Sequence, residues 1–247
     1  MQRYFVQDTF NENNEVTITG DNARHILKVM RMQIGDQIII VQNGIAHICE
    51  IAEAGQEVVA KSTGETIPSP EMPIKVDIAC GLPKGDKLDL ITQKGTELGM
   101  HALIPFAAER SIVKWDDKKG VKKTERLQKI AQEAAEQSHR THIPEIMNPI
   151  SFKELISIFS KYDAVFIADE EDAKKEERTR FADKLKKVYD NESKSILLIF
   201  GPEGGISRKE AQSFIEAGAI TMSLGPRILR AETAPLYALS AISYEFE

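Results

Sequence analysis

Between residues 74 and 247 the chain alternates short, uninterrupted apolar runs with longer stretches whose apolar residues recur at helical spacing. The runs fall at 76–82, 102–106, 164–168, 196–200 and 220–224. Helical stretches cover 86–98, 124–138, 151–160, 172–189, 207–217 and 233–245. Successive side chains of a strand point to opposite sides of the sheet, so a strand apolar at every position must be covered on both faces. Helices between such strands supply that cover, together with the crossovers that parallel pairing needs. This region is predicted to be α/β, a parallel sheet between helical layers.

Residues 1–70 follow another pattern and read as β-rich. Short alternations at 15–19, 37–41 and 46–51 are separated by turn signals at Gly35-Asp36 and Asn43-Gly44. One helix is predicted to start with Asp21 as N-cap, run through Met32 and end near Gly35. Pro68, Pro70 and Pro73 fix φ and remove donors, which marks a stiff linker between a 1–70 domain and a 74–247 domain. There is no internal repeat.

Bulk properties exclude several classes. A chain of 247 residues, 42 % hydrophobic and 28 % charged, can bury a core without staples. Its two cysteines, Cys49 and Cys80, lie in apolar strand-like contexts and read as buried free thiols. The N-terminus carries no apolar run of signal-peptide length, and no stretch approaches the roughly 20 apolar residues that span a bilayer. A cytoplasmic location without membrane contact is expected. The net charge of −6 weighs mildly against a nucleic-acid partner, but its distribution is uneven. Residues 1–70 hold five Lys/Arg against nine Asp/Glu, whereas 84–140 hold twelve against nine. Local patches, not the total, decide RNA binding.

In open parallel sheets, ligands bind beyond the carboxyl ends of the strands. Two such ends stand out: GPEGGIS at 201–207 and GPRILRAETAP at 225–235, each glycine-bearing and each with embedded charge. Part of this has a bland explanation, with Ser207 capping the next helix and Thr233 capping the last, Pro235 in its first turn. The dinucleotide fingerprint, the P-loop, the GxSxG elbow and HExxH are all missing.

GPEGG at 201–205 followed by LGPRILRAETA at 224–234 resembles the paired motif of SPOUT RNA methyltransferases. More narrowly, the chain resembles the bacterial enzymes that methylate N3 of a uridine in small-subunit ribosomal RNA. QKGTELG at 93–99, ERS at 109–111, EAAEQSHR at 133–140, and HILKVMR at 25–31 with Gly35-Asp36 extend the match over the chain. In this order the motifs are highly specific. Gly95 and Ala231 depart from the pattern, which has Ala and Thr there, and both are small.

The resemblance implies a PUA-like N-terminal barrel and a C-terminal SPOUT domain with a trefoil knot, which pattern alone does not suggest. It implies S-adenosylmethionine held in the knot by backbone of the two loops. That carries over to Leu198, Gly201, Glu203, Gly204, Leu224, Gly225, Ile228 and Leu229. The implied partner is ribosomal RNA or the small ribosomal subunit.

A uridine N3 must lose its proton before it attacks a methyl group. The site therefore needs a base, or a cation that stabilises the deprotonated ring. Arg230, Glu203 and Glu232 are the candidates, with Arg230 best suited to the anion. Glu203 serves equally as a helix-start carboxylate near Ser207, and Arg227 and Glu232 equally as a structural salt bridge.

For RNA, Arg24, Lys28 and Arg31 recur at i, i+4 and i+7, one basic face opposite Ile26 and Met30. Lys94, Arg110 and Arg140, from the matched motifs, join them. Lys118, Lys119, Lys122 and Lys123 read first as a mobile solvated loop and second as a phosphate contact. His139 and His142 lack a third ligand, so no metal is expected. The last helix is apolar on nearly every side, and the resemblance makes its partner a second copy in a homodimer. The competing readings are an RNA-binding assembly factor with a vestigial loop, a methyltransferase of another RNA such as tRNA, and a nucleotide-dependent α/β enzyme.

Overall fold

The computed structural model describes residues 1–168 and 180–247, so the first part of the stretch expected at 172–189 lies outside the described residues. The chain forms two compact units, Met1–Glu71 with Ala135–His142, and Met72–Ala134 with Ile143–Glu247.

The first unit is built on strands β1 (Arg3–Phe5), β2 (Glu15–Ile18), β3 (Gln37–Gln42), β4 (Ile45–Ala54) and β5 (Val58–Ile67), in the sheet order β1-β3-β4-β5-β2. β1 runs parallel to β3 and the other pairs are antiparallel. Ile38 and Ile40 pack on one face with Tyr4, Ile26 and Ile51, while Ile39 and Val41 pack on the other with Phe5 and Ile67. β3 is therefore apolar throughout because both its faces are covered.

The helix of this unit differs from expectation. α1 (Gly20–Arg24) has Thr19 at its N-cap, and Asp21 lies in the first turn. A π-helical turn follows over His25–Val29, closed by a bond from the Met30 amide to the His25 carbonyl at 2.9 Å. The wider i+5 turn breaks the 3.6-residue register. Ile26 stays buried and Leu27 and Met32 pack on the core, but Met30, expected on the buried side, is exposed.

Segment 135–142 is tied in by charge. The Arg140 guanidinium is 5 % exposed and donates to the Glu71 carboxylate, which also accepts the Thr141 and His142 amides at 2.9 and 3.1 Å. Arg3 donates to the Arg140 carbonyl at 2.9 Å and to that of His139. Burial alone would raise the Glu71 pKa, but the hydrogen bonds and charge of Arg140 hold it below the ordinary carboxylate value.

The second unit is the expected α/β layer structure. Its strands are β6 (Lys75–Gly81), β7 (Ala102–Ala107), β8 (Glu145–Ile146), β9 (Ile150–Ser151), β10 (Ala164–Ala168), β11 (Ser195–Phe200) and β12 (Ile220–Met222). They lie in the order β12-β10-β11-β6-β7-β8, with β9 also on β7, and every pair is parallel. The helices are α2 (Lys87–Glu97), α3 (Asp117–Gln137), α4 (Phe152–Ser157), α5 (Phe181–Asp190), α6 (Arg208–Glu216) and α7 (Thr233–Phe246).

β11 shows why its run is uninterrupted. Ile196, Leu198 and Phe200 pack with Leu88 and Ile91 of α2, Leu185 of α5 and Leu239 and Ile242 of α7. Leu197 and Ile199 face the opposite layer, with Leu155 of α4 and Phe214 of α6. Phe214 is fully buried and meets the rings of Phe106, Phe152 and Phe159.

Candidate active site

All strands of the second sheet end at one edge, where the segments after β6, β7, β11 and β12 emerge. β11 and β6 are neighbours there, and the chain leaves β6 for β7 on one side but β11 for β12 on the other, the switch-point geometry that opens a crevice in such sheets. The loop after β11 turns back on itself. A Cβ on Gly201 would stand 2.6 Å from the Gly205 carbonyl carbon and 2.7 Å from the Ile206 nitrogen, so only glycine fits. The Gly205 amide donates to the Pro202 carbonyl at 2.8 Å.

Ser207 caps α6 as expected, in a capping box with Glu210. The buried Glu210 carboxylate also accepts the Glu109 amide at 2.8 Å, and the Ser207 hydroxyl donates to the Glu109 carboxylate. Arg110 donates to the Gly204 carbonyl at 2.9 Å. These bonds join the segment after β7 to the loop after β11. Arg110 thus belongs to the loop wall, and Glu210 holds the helix-start role that the sequence offered to Glu203.

Glu203 points elsewhere. Its Oε1 accepts the Lys84 amide at 3.0 Å and the Lys87 ammonium at 2.7 Å. The Lys87 Nζ also lies 3.6 Å from Glu232 Oε2, an oxygen shielded from solvent and without a hydrogen bond. Burial alone would raise the Glu203 pKa, but the bond from Lys87 and those from the backbone hold it below its ordinary value. Lys87 is pushed up, first by its bond to Glu203. Glu203 and Lys87 therefore stabilise one another as ions.

The other sequence candidates are distributed unevenly. Gly225 takes φ +104° with open space where its Cβ would be, so backbone is laid bare beside the crevice. Leu224 and Leu229 are half-buried, and Ile228 is 76 % exposed. Leu198 has its side chain wholly in the core and can offer a ligand only its backbone. Arg227 and Arg230 are exposed and form no ion pair among the described residues; the salt bridge expected between Arg227 and Glu232 is replaced by Lys87–Glu232. Thr233 does not cap α7. Glu232 holds the N-cap position without a side-chain bond, because the Thr233 and Ala234 amides go to the Arg230 carbonyl.

Arg24, Lys28 and Arg31 are all exposed on the first unit. Lys94 is half-buried on α2 with its ammonium bonded to Glu97 at 2.8 Å. Arg140, expected to touch RNA, is instead consumed by Glu71, since a buried guanidinium needs a carboxylate partner. The lysine run at 118–123 is helical rather than a loop, begun by the Asp116 carboxylate accepting the Lys119 amide at 2.8 Å. Cys80 is sealed in the core and burial pushes its thiol up to about 12. Among the described residues no group of His, Cys, Asp and Glu is arranged to hold a metal, and no helix is long and apolar enough to cross a membrane.

Two family models match the chain: an RNA methyltransferase PUA domain over residues 18–59 and an RNA methyltransferase domain over residues 70–243. The ribosomal RNA small subunit methyltransferase E of Bacillus subtilis is 49 % identical, across 100 % of this chain and 98 % of its own. The chain belongs to the ribosomal RNA small subunit methyltransferase E family. The methyltransferase E of Synechocystis is 32 % identical over 92 % of this chain and 72 % of its own. A crystal structure of methyltransferase E from Neisseria gonorrhoeae bound to S-adenosyl methionine superimposes with a TM-score of 0.86 at 28 % identity, covering 99 % of this chain and 97 % of that one. Lys87 and Glu210 join the candidate site without having been singled out from the sequence, and Glu109 entered it only within the matched ERS motif.

Proposed function

We propose that this chain transfers the methyl group of S-adenosylmethionine to N3 of a specific uridine in small-subunit (16S) ribosomal RNA. The observation that carries the reading is the convergence of the 201–207 and 223–232 segments at one sheet edge, in a chain of this family. The residues fit the cofactor. The tight loop at Gly201 and the bare backbone at Gly225 form a cradle that a Cβ at either position would fill or strain. Gly201, Glu203, Gly204, Leu224, Gly225, Ile228 and Leu229 would line it, with Leu198 contributing backbone.

When bound, S-adenosylmethionine supplies an electrophilic methyl group on its sulfonium. The chain must then align the acceptor and dispose of its N3 proton. Arg230, exposed and without an ion pair among the described residues, would stabilise the N3-deprotonated uracil. Glu232, with its dry carboxylate oxygen, is the better candidate to take the proton. Glu203, bound to Lys87, is the poorer one.

Arg24, Lys28 and Arg31 would contact RNA phosphates, at a cost in affinity as salt rises. A homodimer would close on exposed apolar residues such as Tyr237 and Tyr244 of α7, so light scattering should give a dimer, and a monomer would contradict it. The trefoil knot would be tied where the chain returns from edge strand β12 to α7, which packs on β11, α2 and α5. The function is tested by labelled methyl transfer to purified small subunits, naked small-subunit RNA and bulk tRNA from a strain lacking this gene. Label in small-subunit RNA supports the reading. Label in tRNA alone overturns the substrate, and no label with no cofactor binding leaves an assembly factor.

A further inference from the structure

Lys87 occupies the first position of α2, where the helix dipole disfavours a cation and a carboxylate would be the better local choice. Its charge is answered from far along the chain, by Glu203 at 2.7 Å and Glu232 at 3.6 Å. Those two residues belong to the two motif loops, and the Lys84 amide, three residues before Lys87, joins the same Glu203 oxygen. Two carboxylates from the two motif loops thus meet around one ammonium, and the Lys84 amide holds the first of them.

We propose that Lys87 is a positioning residue for methyl transfer, holding Glu203 and Glu232 together so that the two loops keep the spacing the acceptor uridine requires. The proposal rests on the functional reading above. Without the cation, Glu203 would face a second carboxylate whose Oε2 is shielded from water and unbonded, and two like charges in that setting repel. The loops would separate, or one carboxylate would take up a proton. The groups that face Lys87 are these two carboxylates, and the other ionisable group that Glu203 acts on is the sealed Cys80 thiol, which does not titrate in the working range.

The sign of the pH effect follows. Loss of the cation removes what holds the Glu203 pKa down, so the acid limb of the rate profile moves to higher pH. Misplacement of this kind costs roughly 100-fold in kcat.

The test compares Lys87→Met, which keeps the stem and removes the charge, with Lys87→Arg, which keeps the charge. Four readouts are taken on the full-length protein: melting temperature, S-adenosylmethionine affinity by calorimetry, the pH profile of kcat, and carboxylate titration by 13C NMR of glutamate-labelled protein. The expected result is a folded Lys87→Met in which S-adenosylmethionine affinity falls by less than kcat does. Its kcat is reduced, its acid limb is displaced upward, and Lys87→Arg recovers most of the rate. An unchanged kcat and limb in Lys87→Met, or a Lys87→Arg as impaired as Lys87→Met, overturns the proposal. If wild type itself methylates no RNA, the functional reading has failed. The NMR titration then still decides the clamp, which is refuted if Glu203 titrates alike in wild type and Lys87→Met.

Discussion

The two loops of the candidate site contrast in how their polar groups are spent. In 201–207 nearly every one is engaged: Glu203 by Lys84 and Lys87, the Gly204 carbonyl by Arg110, and Ser207 by Glu109 and Glu210. Among the described residues of 223–232, the Ser223 hydroxyl is shielded and without a hydrogen bond, Glu232 Oε2 has only its 3.6 Å ion pair with Lys87, Arg227 and Arg230 are unpaired, and Ile228 stands out in solvent. Unsatisfied buried polar atoms are costly and are kept where something else pays for them. The first loop is a preorganised wall and the second is the face still to be completed by cofactor, RNA or a second chain.

That contrast can be broken most directly at Gly201. Gly201→Val places side-chain carbon into the Gly205 and Ile206 backbone, so cofactor affinity should fall more than about 100-fold, and calorimetry near wild-type values would show the wall is not rigid. Arg230→Ala, in the open loop, should cost roughly 100-fold in kcat with cofactor affinity largely intact. Unchanged turnover rules Arg230 out of the chemical step. Ser207→Ala removes a cap from the closed loop and should lower stability by about 1 kcal/mol. The melting shift should exceed that of Ile228→Ala, whose side chain is exposed and whose effect should stay within about 0.5 kcal/mol.

A smaller effect is expected from pH. The Glu203 pKa is held below its ordinary value, so its tie to Lys84 is fully present above the unfolded value of 4.5 and is lost as pH falls through the folded one. The 15N shift of the Lys84 amide should follow that titration below pH 4.5 and not above it.

The layer structure was legible because its cause is local: β11 is apolar at each position since each face has a helix on it. The β3–β4 hairpin and the Ser207 cap were legible for the same reason. The misses have non-local causes. Nothing near Arg140 announces that Glu71 will consume its charge, and nothing near Lys87 foretells carboxylates from the far loops; local rules would even disfavour a lysine there. The π-helical turn that exposes Met30 looks like an ordinary helix in sequence, though in the fold it keeps Ile26 buried and Met32 packed on the core. Strands β1 and β5 went unseen, β1 for its length and β5 for the polar residues over its second half.

The central claim is the atom that receives the methyl group. Small ribosomal subunits from a strain lacking this gene should be incubated with the purified protein and S-adenosylmethionine, and their RNA digested to nucleosides for mass spectrometry. The account predicts a new N3-methyluridine from a single position of the small-subunit RNA. A methyl on another atom or another nucleoside, or no product from a preparation that binds the cofactor, would contradict it.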